Sequence, residues 1–444
     1  MSAEAEPDDD TSAERPAEVQ RRAPFSDNPN VGARGQRTQQ RILDAALQVF
    51  GEVGYHRCSI DRITTLAGCS RVSFYQYFSS KEDVFRHLAA QVARQVSAST
   101  EALGPVTADL EGWTAIRGFA TRRSEIYDRY QPVYQAFEAA AESDEAVAGG
   151  SVRTGERIVA LIRSRLATTT LPPRQLDPVI HLLLECLTRT HDVAGILRSV
   201  APTAYPTDRV SDALADVVHR TLFGLQAEVN VHPPARRRPP TLEFGPALTE
   251  VLQREEVPTD LTAAGRRTLE ALLAAGAEVL VRRGYHRTRV DDVVTAAGVS
   301  HGAFYRYFQN KDQLAQVLAV DAIRRVSTAF AQIPDAPVAD GSAGDGEALR
   351  RWLRRYNDAH TNETAMIRVW VDVSQDDERR ADSAAAYDWG RRQMVRFLAP
   401  RDFGDTDTEA LLLVALLGAF GARRRSPATV DAAAYIIERG FLGR

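Results

Sequence analysis

The chain has 444 residues, 44% hydrophobic and 26% charged, which is more than one domain needs and enough to fill more than one core. Its formal charge of −4 excludes a protein that is basic throughout, so any nucleic-acid surface has to be local. Cys58, Cys69 and Cys186 lack the paired C-x-x-C spacing of a structural zinc site, and three cysteines cannot all pair within one chain; a reducing cytoplasm fits, and the acidic, polar start does not read as a signal peptide.

Residues 1–33, rich in Ala, Glu, Asp, Pro and Arg, have the composition of a disordered tail. Apolar residues then recur at helical spacing at Ile42, Ala46, Val49, Phe50 and Val53, and Gly54 closes the helix. Ser59 can cap a short helix carrying Ile60, Ile63 and Ala67. Gly68 permits a tight turn, Ser70 can cap the next helix, and Phe74 and Phe78 pin that helix to a small core. Helix, glycine turn, helix is the grammar of a helix-turn-helix, which assigns 34–88 to a first DNA-binding domain. Helical periodicity continues over about 111–142, 151–168, 175–199 and 207–226, and 89–226 reads as a helical domain.

A linker, 227–262, contains "HPPARRRPPTLEFGP", whose prolines rule out a continuous helix; Arg236, Arg237 and Arg238 read as solvated linker charge rather than phosphate ligands. A second helix-turn-helix domain follows at 263–318, opened by Leu269, Leu272, Leu273, Gly276, Val279 and Leu280 and closed by Gly284. A second helical domain, 319–444, is predicted with helices near 312–332 (which begins inside the preceding domain), 346–360, 363–375, 379–398, 406–422 and 428–441. The apolar run from Ala410 to Ala422 falls short of the roughly 20 residues that span a bilayer, so it reads as a buried helix and not as a membrane segment. With almost no strand-like alternation anywhere, the class is all-α.

The two small units are one device written twice. "GYHRCSIDRITTLAGCSRVSFYQYFSSK", from Gly54, and "GYHRTRVDDVVTAAGVSHGAFYRYFQNK", from Gly284, align without a gap. Arg289 stands where the first copy has Ser59, so the cap there is expected from Thr288 or is weaker. Residues 34–81 hold seven Lys and Arg against three Asp and Glu, and residues 264–311 hold eight against four, a surplus of four in each copy. Everything outside the two devices is therefore net acidic, and positive charge is concentrated where a phosphate backbone would lie.

An amphipathic helix ending in "GY", then "SID" or "RVDD", then "AGCSRVSFYQYFSSK" or "AGVSHGAFYRYFQNK", closely resembles the DNA-binding domain of TetR-family transcriptional regulators. Over about fifty residues per copy the resemblance implies a sequence-specific DNA-binding regulator, a ligand-responsive repressor of the tandem, actinobacterial kind. By position it implies that Arg71, Val72 and Ser73 face base edges while Tyr75, Tyr77 and Lys81 hold phosphates. In the second copy it implies His301, Gly302 and Ala303 at the bases and Tyr305, Tyr307 and Lys311 at the phosphates. Arg71 can offer a bidentate fork to guanine, whereas Ala303 can offer only a methyl contact. The phenylalanines fill the small core, which is expected to leave the tyrosine hydroxyls outside it. The family's dimer helices would come from "VIHLLLECL" and "LLLVALLGAF" with the helices that follow each. They could pack as an intramolecular pseudo-dimer on an asymmetric double-stranded operator, with room for further homodimerisation.

Aromatic residues cluster in each helical domain, including Trp113, Tyr130 and Tyr134 in the first and Trp352, Tyr356, Trp370 and Trp389 in the second. They either line a pocket for an apolar or ring-containing effector, expected in one half, or fill a plain helical core. His181, Cys186 and His191 lack the i, i+4 spacing of metal ligands, and neither metal nor cofactor is expected. The phosphate-cradling and nucleophile motifs are missing, which sets aside catalysis; an architectural DNA-binding protein without effector is the alternative, and a helical enzyme comes third.

Overall fold

The computed structural model describes residues 32–166, 168–230, 248–253, 258, 260–334, 345–373, 377–422 and 425–444. The expected N-terminal tail, but for its last residues, and the middle of the expected linker with its three arginines lie outside them. Among the described residues all regular structure is helical except a lone bridge between Val106 and Leu166.

The first half runs α1 (Ala33–Val53), α2 (Ile60–Ala67), α3 (Arg71–Tyr77), α4 (Lys81–Glu101), α5 (Leu110–Ser143), α6 (Glu145–Arg165), α7 (Pro173–Val200), α8 (Thr207–Phe223) and a short α9 (Ala227–Asn230). After α10 (Leu248–Gln253), the second half runs α11 (Ala263–Arg283), α12 (Val290–Ala297), α13 (His301–Tyr307), α14 (Lys311–Ala331), α15 (Asp345–Val373), α16 (Asp377–Leu398), α17 (Thr406–Gly421) and α18 (Pro427–Tyr435), which continues through a π-helical end, Ile436–Phe441. Three elements differ from the sequence reading. Helix α4 was not foreseen, although its counterpart α14 was. Helix α15 is continuous through the polar stretch near 361–362, because Thr361 and Thr364 turn their hydroxyls onto main-chain carbonyls of Gly421 and His360. The expected linker contains α10, whose Leu248 and Val251 are buried with Trp370 and Ala385.

Helix α5 serves two cores because it bends. Pro132 has no N–H for the helical ladder and its ring crowds the preceding turn, and Tyr130 takes non-helical angles of φ −113° and ψ 20°. Before the bend, Ile116, Phe119 and Ala120 pack into the large central core; after it, Val133, Ala136 and Ala140, with Tyr130 itself, pack under the first helix-turn-helix. The second helix-turn-helix keeps a smaller core of its own around Leu272, Val279, Phe304 and Phe308, and rests on α15 through Leu280, Ala315, Ala322, Met366 and Val369.

The two halves meet where α7 and α8 pack on α17 and the C-terminal helix. Leu411, Leu412, Leu413, Leu416 and Leu417 are fully buried there, in one core with Val179, Leu182, Cys186 and Leu187. The Cys186 thiol lies 3.6 Å from the Leu412 carbonyl, and burial pushes it up to about 12. Charge is buried at this seam as well. Arg220 meets Glu409 at 2.6 Å with both side chains fully enclosed, Arg401 bonds the same carboxylate, and the Arg220 Nε donates to the Gly440 carbonyl at 2.7 Å.

Candidate nucleic-acid interface and effector cavity

Both copies of the device fold by the same local chemistry. Gly68 and Gly298 take left-handed φ values of 61° and 65°, which L side chains rarely adopt, and so allow the chain to reverse between the paired helices. Ser70 and Ser300 then accept from the backbone N–H of Ser73 and Ala303 at 3.0 and 3.2 Å, which starts α3 and α13. Phe74, Phe78, Phe304 and Phe308 are no more than 1% exposed and fix those helices to their cores. Ser59 caps α2 by accepting from Arg62. In the second copy the cap expected from Thr288 is absent: its hydroxyl donates to the Gly284 carbonyl at 2.8 Å. The Asp292 carboxylate instead accepts from the Arg289 N–H at 2.9 Å.

The residues expected at the bases stand at the exposed start of each recognition helix. Arg71, Val72, His301 and Gly302 are exposed, and Ser73 and Ala303 are half-buried. Arg71 Nε lies 3.3 Å from Asp61, and His301 Nε2 lies 2.6 Å from Asp291, the same aspartate position in both copies. The sequence reading missed this role for the two aspartates; its only signal was their recurrence at the same place in both copies. Exposed pairs of this kind contribute about 0–1 kcal/mol, so either side chain can exchange its aspartate for another acceptor at small cost.

The expected phosphate set divides. Tyr75 and Tyr305 are 42% and 57% exposed, each against the edge of the preceding phenylalanine. Tyr77 and Tyr307, expected outside the core, are buried in it, and the Tyr307 hydroxyl donates to the Gly265 carbonyl at 3.0 Å. Lys81 and Lys311 are half-buried. Their ammonium groups donate to the carbonyls of Tyr55 and Tyr285 at 2.9 and 3.0 Å and sit 4.5 Å above those rings. Burial draws Lys311 below the ordinary lysine value. Each lysine thus ties the turn after the first helix to the start of the fourth. These turns also meet each other: the rings of His56 and His286 stack with centroids 4.3 Å apart.

The aromatic candidates divide too. A cavity of about 1570 Å³ lies between the two halves, bounded by α4 to α7 and the end of α1 on one side and by α14 to α17 on the other. Tyr134, Tyr356, Trp370 and Trp389 line it, whereas Trp113, Tyr130 and Trp352 do not. Trp113 donates to Asp216 at 2.8 Å, Tyr130 packs under the first helix-turn-helix, and Trp352 is 1% exposed with its indole N–H on the Ala329 carbonyl at 3.0 Å. A polar cluster that sequence reading did not find borders the cavity. Tyr127 donates to Asp192 at 2.9 Å, and Arg189 bridges Asp192 at 2.6 Å to the Tyr387 hydroxyl at 2.8 Å, joining the halves. Burial, with Asp192 beside it, pushes the Tyr127 phenol well up. Behind Tyr127, burial and the neighbouring Arg123 and Arg198 draw His191 down to about 3, so it stays neutral near pH 7.

Two helix-turn-helix units on a shared, wholly helical scaffold define a double helix-turn-helix protein. Residues 42–88 and 272–318 each match the family described as "Bacterial regulatory proteins, tetR family". The chain therefore carries two segments, one in each half, that match this family. It is similar to "Transcriptional regulator AcuR" of Cereibacter sphaeroides, 36% identical over 85 residues, covering 19% of this chain and 37% of that one. It is also similar to "HTH-type transcriptional regulator SrpR" of Pseudomonas putida, 38% identical over 60 residues, covering 14% and 28%. The chain thus spans 37% and 28% of the lengths of these two curated relatives. A solved tetR-family regulator from Streptomyces coelicolor aligns over 43% of this chain and 82% of its own, at 18% identity and a TM-score of 0.33. No described helix is long and apolar enough to cross a membrane.

Proposed function

We propose that the protein is a cytoplasmic, sequence-specific DNA-binding transcriptional regulator. It uses its two helix-turn-helix units as a pseudo-dimer on an asymmetric operator. The observation that carries this reading is the pair of recognition helices in one chain, alike in backbone and different at the residues that would meet bases: Arg71, Val72 and Ser73 against His301, Gly302 and Ala303. Such helices enter successive major grooves roughly 34–36 Å apart, which ordinarily needs two subunits. Tyr75 and Tyr305 supply neutral phosphate contacts, and the surplus of basic residues in each unit supplies the salt-dependent part of the affinity.

Repression relieved by a small molecule is the form of regulation this reading adopts, supported by the cavity between the halves. Gel-shift titration at two salt concentrations tests DNA binding, and sedimentation of the complex on a short duplex tests stoichiometry. One chain per minimal operator lacking dyad symmetry is expected. Two chains on a perfect palindrome would defeat the pseudo-dimer, and DNA binding that no metabolite relieves would favour an architectural role.

A further inference from the structure

The cavity holds a cation that the fold leaves unanswered. Arg123, on α5, is 8% exposed and lines the cavity, and among the described residues its Nε and Nη1 have no hydrogen-bond partner. Burial draws the guanidinium below its ordinary value, an effect offset only by the neighbouring Tyr134 hydroxyl. Other arginines on the cavity are paired: Arg189 with Asp192, and Arg425 with Glu185, each at 2.6 Å. Asp192 is already committed to Tyr127 and Arg189, while Glu52 and Glu156, also on the cavity, are exposed to solvent. His191, which feels the charge of Arg123, is held neutral and offers it no anion.

Removing a cation from water without a counter-charge costs several kcal/mol, so an enclosed guanidinium with two unused donor atoms is matched to an anion from outside the chain. The surroundings specify the rest of that molecule. Phe119, Tyr127 and Tyr134 of the first half face the cavity together with Phe330, Tyr356 and Trp389 of the second. We propose that the cavity binds an amphipathic organic anion, its carboxylate- or sulfonate-class head on Arg123 and its apolar body between the aromatic walls of the two halves. The proposal rests on the effector reading above and adds the charge of the ligand, the residue that selects it and a site shared by both halves.

Two probes with nearly the same apolar body separate charge from hydrophobicity: anilinonaphthalenesulfonate, an anion, and N-phenylnaphthylamine, which is neutral. Fluorescence titration of the full chain should show one anionic-probe site per chain. Arg123→Met should weaken that site by about tenfold or more, the scale of a lost hydrogen bond to a charged group, and leave the neutral probe within about twofold. Arg123→Lys should retain part of the preference for the anion. With no ligand present, Arg123→Met should melt no lower than the parent, because it removes a buried charge that no described residue answers. Equal loss of both probes, undiminished binding of the anion, or a Met variant that melts lower or fails to fold would each overturn the proposal. DNA is absent from these titrations, so their failure leaves the operator reading standing, and loss of the gel shift leaves this site standing.

Discussion

In the first copy of the device an arginine opens the recognition helix, and in the second a histidine does; an aspartate ten residues earlier holds each of them. Backbone and exposed first residue are therefore set by different chemistry. Glycine in the left-handed turn, a serine cap and two buried phenylalanines fix the helix in both copies, while the exposed position ahead of them varies with almost no effect on the fold. The supports differ as well. The first unit shares a core with the far half of α5, and the second has a separate core bridged to α15 by small side chains.

The largest test of this difference lies in the cores. Phe74→Ala and Phe304→Ala should each cost about 3–5 kcal/mol, as for other buried phenylalanines. Hydrogen exchange should then accelerate along α5 beyond Tyr130 in the Phe74 variant and stay within α11 to α14 in the Phe304 variant. The same pattern in both would break the distinction between a shared and a separate core.

Acid should probe the two halves next. Burial, with cationic neighbours, draws His191 on α7 to about 3, and burial with Arg189 nearby draws His360 on α15 to about 4, whereas an unfolded histidine takes up its proton near 6.5. Stability from both is fully present above about pH 6.5 and is lost as pH falls toward those lower values, because there the unfolded chain binds the additional protons. Thermal melting between pH 7 and pH 4 should fall with a slope that His191→Gln reduces more than His360→Gln; an unchanged slope in both variants would contradict it.

At the reading surface, Arg71→Ala should remove about 1–3 kcal/mol of discrimination at one half-site only, measured by binding to operators mutated one half at a time. His301→Ala should act on the other half-site with a smaller effect. Equal losses at both half-sites from Arg71→Ala would refute the assignment. The smallest expected effect concerns caps: Ser59→Ala should cost about 1 kcal/mol in urea unfolding, and Arg289→Ala nearly nothing, since only the first side chain caps its helix.

The repeated device was legible in the sequence because each of its parts has a local cause: a glycine for the turn, a serine for the cap, phenylalanines four apart for the core. Other side chains were harder to place, for two different reasons. Tyr77 and Tyr307 lie three residues after Phe74 and Phe304, on the same helical face, so their burial was implicit in the spacing; their polar hydroxyls suggested the opposite. Lys81 and Lys311 reach back 26 residues to a carbonyl, which no periodicity marks. The cavity depended on which aromatic residues two distant segments bring together, so Trp352 and Trp389, equivalent as letters, end inside a core and on a cavity wall.

The buried Arg220–Glu409 pair gives the fusion a direction in evolution. Its cation comes from the first half and its carboxylate from the second, so a gene split that let first halves pair with first halves would leave Arg220 enclosed without Glu409. Losing one partner of such a pair costs about 3–5 kcal/mol, a large part of the stability of a typical domain. Once that exchange of roles was in place, each half depended on a feature only the other encodes. Separating the halves would then need compensating changes at the seam before it could be tolerated.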